Sequence, residues 1–204
     1  MQKTKSKIFN KNLFKLYKSE KKELPCLFLD RDGVIIKDCH YIKNPEEVAL
    51  EEGAWKLIKR AFYSKWIIVV ITNQSGINKK ILSWDDYYQV TRKMISLFDF
   101  GNPFAAIYAN SAESTESYKS WRKPSPEMIL QATRDLPIDL SKSILIGDRK
   151  SDLEAGYNAR IPFLFHVKTG HGEREKNIIL SDEILCKNIK LINSLEEFPF
   201  DILD

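Results

Sequence analysis

Short apolar runs recur along the chain with helix-patterned segments between them, and this alternation limits the fold more than any other feature. "CLFL" (26–29) comes first, followed by "WIIVVI" (66–71), "FAAIYA" (104–109), "SILIG" (143–147) and "IPFLFHV" (161–167). Apolar runs without polar alternation read as strands covered on both faces, as in a parallel sheet. Between them, "GAWKLIKRAFYSK" sets Trp55, Ile58 and Phe62 on one helical face with Lys and Arg opposite. "SWDDYYQVTRKMISLF" opens with Ser83 as N-cap and Asp86 at the answering position of a capping box. "SPEMILQATRDL" places Ser125 at the cap and Pro126 at the first helical position. "SDLEAGYNAR" is a further short helix, and a last helix or two follows the fifth strand. Strand and helix in alternation predict a Rossmann-like three-layer α/β/α sandwich around a central parallel sheet. The intervening segments are filled by these helices, so no large cap domain is expected.

The chain shows no internal repeat and no low-complexity linker, and residues 24–204 read as one domain. Residues 1–23 form a basic N-terminal tail whose Ile8, Leu13, Phe14 and Leu16 suit a short amphipathic helix lying on the domain surface. Hydrophobic residues at 43% and charged residues at 29% exclude a disordered chain. A formal net charge of +4 admits an anionic substrate but is far from the dense basic patch of a nucleic-acid binder. No apolar run approaches the roughly 20 residues that span a bilayer. Cys26, Cys39 and Cys186 are odd in number and widely spaced, which suggests reduced thiols and a cytoplasmic home. A monomer without nucleic-acid or membrane partners is expected.

In open parallel sheets, ligands bind outside the carboxyl ends of the strands. Those ends carry Asp30 and Asp32, then "TNQSG" (72–76), "RKPSP" (122–126) leading into a helix, and "GDRKSD" (147–152). Each has an ordinary reading: Thr72 as a helix cap, Lys123 as solvated surface, Asp148 as a turn residue beside Gly147. Their joint recurrence at strand ends favours a site instead. Carboxylates at the tip of an apolar strand are costly to desolvate unless a positive group meets them.

Phosphoryl transfer to water suits this set. Asp30 can attack phosphorus and form an aspartyl-phosphate. Asp32, two residues on, can protonate the leaving oxygen and then activate water. Asp30 and Asp148 offer hard oxygen ligands to Mg²⁺. Thr72 and Lys123 can hold the non-transferred phosphoryl oxygens.

The same residues resemble the four motifs of the haloacid dehalogenase superfamily: D30-R-D-G-V, T72 after an apolar strand, K123 before a helix, and GD148-x-x-x-D152. Within it, "LDRDGVIIKDCHY", "ITNQSGIN", "RKPSPEMI" and "HVKTGHGE" are similar to the D,D-heptose 1,7-bisphosphate phosphatases, relatives of the histidinol-phosphate phosphatases. The resemblance implies Asp30 as nucleophile, and Asp32 as acid/base and as metal ligand through its backbone carbonyl. Asp148 is implied as the remaining metal ligand. Asp38, Tyr41, Asn73, Gln74, Ser75, Arg122 and Arg149 are implied as contacts to a phosphorylated sugar. Arg149 stands where that family usually has lysine, and His40 where it usually has glycine. Histidinol phosphate, a polynucleotide 3′-phosphate and a non-catalytic binding role are the alternative readings.

Members of this family commonly carry a zinc-binding loop before the Arg-Lys-Pro segment. Here the ligand positions are Ala109, Ser111, Lys119 and Trp121, and none offers zinc its usual thiolate, imidazole or carboxylate. A zinc-free protein is therefore expected, with the loop 110–120 held by Tyr118 and Trp121 or partly mobile.

Overall fold

A computed structural model describes residues 3–20, 22–113 and 120–204. The strands are β1 (Lys5–Phe9), β2 (Cys26–Leu29), β3 (Ile67–Asn73), β4 (Ala106–Asn110), β5 (Ile144–Gly147), β6 (Phe163–Val167) and β7 (Ile189–Ile192). Among the described residues they form one sheet in the order β1-β4-β3-β2-β5-β6-β7. All neighbours are parallel except β1, which runs antiparallel to β4. The helices are α1 (Lys11–Lys18), α2 (Ala54–Tyr63), α3 (Ser75–Asn78), α4 (Trp84–Ser96), α5 (Glu127–Asp135), α6 (Lys150–Asn158), α7 (Gly172–Leu180) and α8 (Leu185–Asn188).

Side chains alternate across the sheet, so each central strand feeds two cores. Leu27, Leu29, Ile68 and Val70 enter one, with Leu57 and Ile58 of α2 and Val90 and Met94 of α4. Phe28, Ile67, Val69 and Ile71 enter the other, with Met128 and Ile129 of α5 and Leu153 of α6. This is the expected three-layer sandwich, and among the described residues no second sheet or cap interrupts it. No helix among them is long and apolar enough to cross a membrane.

Several details differ from the sequence reading. Ile8 lies in β1 rather than in a helix, and α1 starts only after Asn10 caps it through Asn12 and Leu13. Exposed Lys5 and Lys7 flank the buried Ser6, the two-residue alternation of an edge strand, and the unpaired edge of β4 gives it hydrogen-bond partners. Tyr17 is the residue of α1 that is buried, while Leu16 stays exposed. Helix α2 buries Ala54, Leu57, Ile58 and Ala61, so Trp55 stands outside its buried stripe and donates to Asp99 at 3.1 Å. Helix α5 begins at Glu127, one residue later than expected, with the Ser125 hydroxyl accepting from the Glu127 N–H. The capping box of α4 is present: Ser83 Oγ accepts from Asp86 N–H, and Ser83 N–H donates back to Asp86.

Candidate active site

Asp30 follows β2 at the centre of the sheet, and the first turn beyond each neighbouring strand faces it. Lys123 reaches in from the segment before α5, buried, with its Nζ 2.9 Å from Asp30 Oδ1 and 2.6 Å from Asp152 Oδ1. The same Nζ donates to the Ile71 carbonyl at 2.9 Å. Asn73, at the end of β3, fixes this approach by clamping the Lys123 backbone on both sides, accepting from its N–H and donating to its C=O. Lys123 therefore follows no surface path. Burial alone would lower its pKa, but Asp152 and Asp30 hold it above the usual lysine range.

Asp30, Asp148 and Asp152 bring carboxylate oxygens within 4.8 Å of one another. Burial pushes Asp30 up to about 6 against the lowering pull of Lys123, with Asp152 and Asp32 adding to the rise. Burial likewise raises Asp148, helped by Asp152 and Asp30. Asp148 has one oxygen bonded to the His171 N–H at 2.8 Å, while its Oδ1 has no hydrogen-bond partner among the described residues. Gly33 and Gly170, both at positive φ, make room for that carboxylate: a Cβ on either would lie 2.5 Å or 2.4 Å from Asp148 Oδ2. Three buried carboxylates against one ammonium leave the pocket short of positive charge. With a buried oxygen unpartnered and all donors hard, the cluster fits a divalent cation of the Mg²⁺ type.

Asp32 is held differently. Arg31, 1% exposed, donates to it from Nε and Nη2 at 3.0–3.2 Å. The guanidinium lies 5.2 Å over the Tyr87 ring and donates to Thr91 Oγ1. From the other side Gln74 Nε2 donates to Asp32 Oδ2 at 2.8 Å and to Thr72 Oγ1 at 2.9 Å. Asp32 thus faces the cleft on a rigid support, while Thr72, 1% exposed, lies beneath the cleft wall.

The cleft has a volume of about 590 Å³ and opens above Asp30. Arg122 and Arg149 line its rim, as do Asp38, Tyr41, Asn73, Gln74 and Ser75. Arg122 is oriented by donating to the Ala112 carbonyl at 3.0 Å. The Tyr41 ring lies against Gly76, where a Cβ would meet it at 2.4 Å, and Lys79 donates to its hydroxyl. The site residues picked from the sequence line one cleft except Thr72 and Asp148, which are buried behind it, and Asn73 and Gln74 turn their amides to protein partners. Sequence reasoning missed the anchoring by Arg31, although its place between two aspartates was a usable signal. It also left out His171, whose N–H holds Asp148, and it named Asp152 only as part of a motif. Trp121 is buried and packs edge-on to Tyr108 with centroids 5.7 Å apart; Tyr118 and Lys119 lie outside the described residues.

A family model for HAD-hydrolase-like proteins matches residues 120–189, the stretch that carries Lys123, Asp148 and Asp152. The chain belongs to the haloacid dehalogenase-like phosphatases. Its relatives narrow this further. It is 39% identical over 137 residues to a D-glycero-β-D-manno-heptose-1,7-bisphosphate 7-phosphatase of Helicobacter pylori, covering 66% of this chain and 79% of that one. It is 37% identical over 168 residues to the α-anomer 7-phosphatase of Photorhabdus laumondii, covering 77% and 91%. Among solved structures, the D,D-heptose 1,7-bisphosphate phosphatase of B. bronchiseptica, complexed with magnesium and phosphate, superposes with a TM-score of 0.73 at 26% identity, covering 84% of this chain and 94% of that one.

Proposed function

We propose that the protein is a cytoplasmic, Mg²⁺-dependent phosphatase that removes the 7-phosphate of a heptose 1,7-bisphosphate. The observation that carries this is the buried Asp30–Asp148–Asp152 cluster with a single lysine, opening into a cleft rimmed by two arginines. Asp30, Asp148 and the backbone at Asp32 would hold the cation, which when bound offsets the repulsion between carboxylates and an incoming phosphate. A carboxylate oxygen of Asp30 attacks phosphorus, the ester P–O bond breaks, and the electron pair leaves with the sugar oxygen. Asp32 gives that oxygen its proton. Water then attacks the aspartyl-phosphate, Asp32 takes the water proton, and the P–O bond to Asp30 breaks to release inorganic phosphate. Lys123 holds charge on the phosphoryl oxygens, and Gln74 keeps Thr72 and Asp32 in register.

A panel of phosphate esters assayed with Mg²⁺ tests the reading. Heptose 1,7-bisphosphate of either anomer should be turned over in preference to histidinol phosphate, sugar monophosphates and a 3′-phosphorylated oligonucleotide. Preference for any of these three competitors would overturn the substrate assignment.

Arg122 and Arg149 suit the second phosphate, since a guanidinium fork matches phosphate geometry. Arg122→Ala should cut the preference for bisphosphate over monophosphate by at least about tenfold, the loss of roughly 1.4 kcal/mol of selective binding. An unchanged ratio of kcat/KM values would remove Arg122 from that role.

For Asp32→Asn, loss should be severe on sugar phosphates and mild on aryl phosphates, whose leaving groups need no proton. Equal losses on both would leave Asp32 with a structural role only.

The described ends of the segment 110–120 are held without structural zinc in this reading. Ser111 is tied to the Thr4 carbonyl at 2.8 Å and Trp121 is packed on Tyr108. Stripping the protein with EDTA and restoring Mg²⁺ alone should return a folded, active enzyme. A requirement for zinc to regain the fold would refute this.

A further inference from the structure

Beside the catalytic cluster lies a second group of ligating side chains of different chemistry. Asp38, His40 and His171 bring one oxygen and two imidazole nitrogens within 4.8 Å of one another. His171 Nε2 is 2.8 Å from Asp38 Oδ2, and His40 Nδ1 is 4.0 Å from Asp38 Oδ1. The two imidazole rings stand 5.9 Å apart between centroids, tilted by 45°. We infer that these three residues form a binding site for a borderline-soft divalent cation of the Zn²⁺ class at the mouth of the cleft, separate from the all-carboxylate cluster.

The ligand types decide the ion. Mg²⁺ prefers oxygen donors throughout, whereas two imidazoles and one carboxylate match the donor sets of zinc sites that keep a fourth position open. Bond lengths of about 2.0–2.1 Å place tetrahedral donors roughly 3.3 Å apart. Asp38 and His171 must therefore separate by about half an ångström, and His40 must swing inward by a somewhat larger step. His40 has the freedom to do so, its side chain being 71% exposed, while Asp38 and His171 are held at 14% and 21%.

The supports around the three ligands are in place. Asp38 Oδ1 accepts the His40 N–H at 2.9 Å, fixing one end of the loop. His171 is fixed from behind, where its own N–H donates to Asp148. His40 adopts φ +49, in the left-handed region. A bulky residue held there is an outlier of the kind that gathers at ligand sites. All three residues line the catalytic cleft, so the open fourth position would be reachable by water or by a substrate oxygen. An ion here ties the loop carrying Tyr41 to the turn between β6 and α7, two walls of the cleft otherwise joined by the His171–Asp38 pair and by the Thr169 hydroxyl donating to the Gly33 carbonyl.

This site goes beyond the phosphatase reading, and its test does not depend on turnover. The full-length chain, saturated with Mg²⁺ to fill the carboxylate cluster, is titrated with Co²⁺ and followed by visible absorption and by equilibrium dialysis. One equivalent with the intense bands of four-coordinate Co²⁺ is expected, displaced by Zn²⁺. His40→Ala and His171→Gln should each weaken it at least about tenfold, since even outer-shell partners cost roughly 10–100-fold. His171→Gln can still hydrogen-bond Asp38, so a loss there reports the missing imidazole rather than a broken loop. Weak octahedral bands alone, binding that survives both substitutions, or a thiolate charge-transfer band from Cys39 would overturn the assignment.

Discussion

Asp30→Asn is expected to fold and to have no measurable turnover. Asp30 is the strand-tip carboxylate over which the cleft opens, and an amide is neither a nucleophile nor a good ligand for a hard cation. Phosphate-ester hydrolysis can need accelerations of up to about 10²¹ over water, so loss of the covalent route leaves nothing of comparable rate. The fold should not suffer. Burial raises Asp30 to about 6, above the ordinary carboxylate value of roughly 3.9. A raised carboxyl pKa favours the folded state most below the unfolded value, and that contribution is lost as pH rises through about 6. Above that pH the ionised carboxylate is a burden on the metal-free protein, so the asparagine variant should melt at the same temperature or higher. Activity above about a tenth of wild type, a barrier change of only ~1.4 kcal/mol, would sink the nucleophile assignment. A large fall in melting temperature would sink the account of the charge balance.

Lys123→Met should damage both stability and catalysis. The ammonium is 2% exposed and sits between Asp30 and Asp152. Removing one partner of a buried ion pair costs about 3–5 kcal/mol, because the remaining charges lose their compensation. For a chain of this size that amounts to a drop in melting temperature on the order of 10 °C. Mg²⁺ should restore part of the stability by supplying positive charge to the same carboxylates, but not the rate, since no group then meets the transferring phosphoryl oxygens. Thermal unfolding with and without Mg²⁺, beside kcat, checks both halves. A variant within about 2 °C of wild type without metal would show that Lys123 is not the main counter-charge.

The central strands and the residues at their tips were legible in the sequence because both depend on local pattern. A strand buried on both faces must be apolar throughout, and the chemistry of an open sheet sits at its strand ends. What escaped reading depends on distant partners. Arg31 is buried because Asp32, Tyr87 and Thr91 surround it, and two of those lie on α4. The His171–Asp38 contact joins the loop after β2 to the turn before α7, a pairing no periodicity announces. Strand β7 is short and half-exposed, with only its last residue buried, so its composition does not separate it from a loop. Trp55 and Phe62 looked like the buried face of α2 on hydrophobicity alone. The stripe that docks is the one whose spacing fits beneath the sheet, built around the smaller Leu57, Ile58 and Ala61.

The antiparallel strand β1 bears on which edge the sheet presents to other chains. Every residue of β4 is buried, and β1 covers its outer edge in a five-residue register from Lys5↔Asn110 to Phe9↔Ala106. Without that cover, Ala106–Asn110 would present a row of free backbone donors and acceptors flanked by apolar side chains, a template for pairing with another chain. The covering strand carries Lys5 and Lys7 on its exposed positions, and edge lysines discourage further strands from adding. The basic N-terminal segment thus exchanges an apolar sheet edge for a charged one.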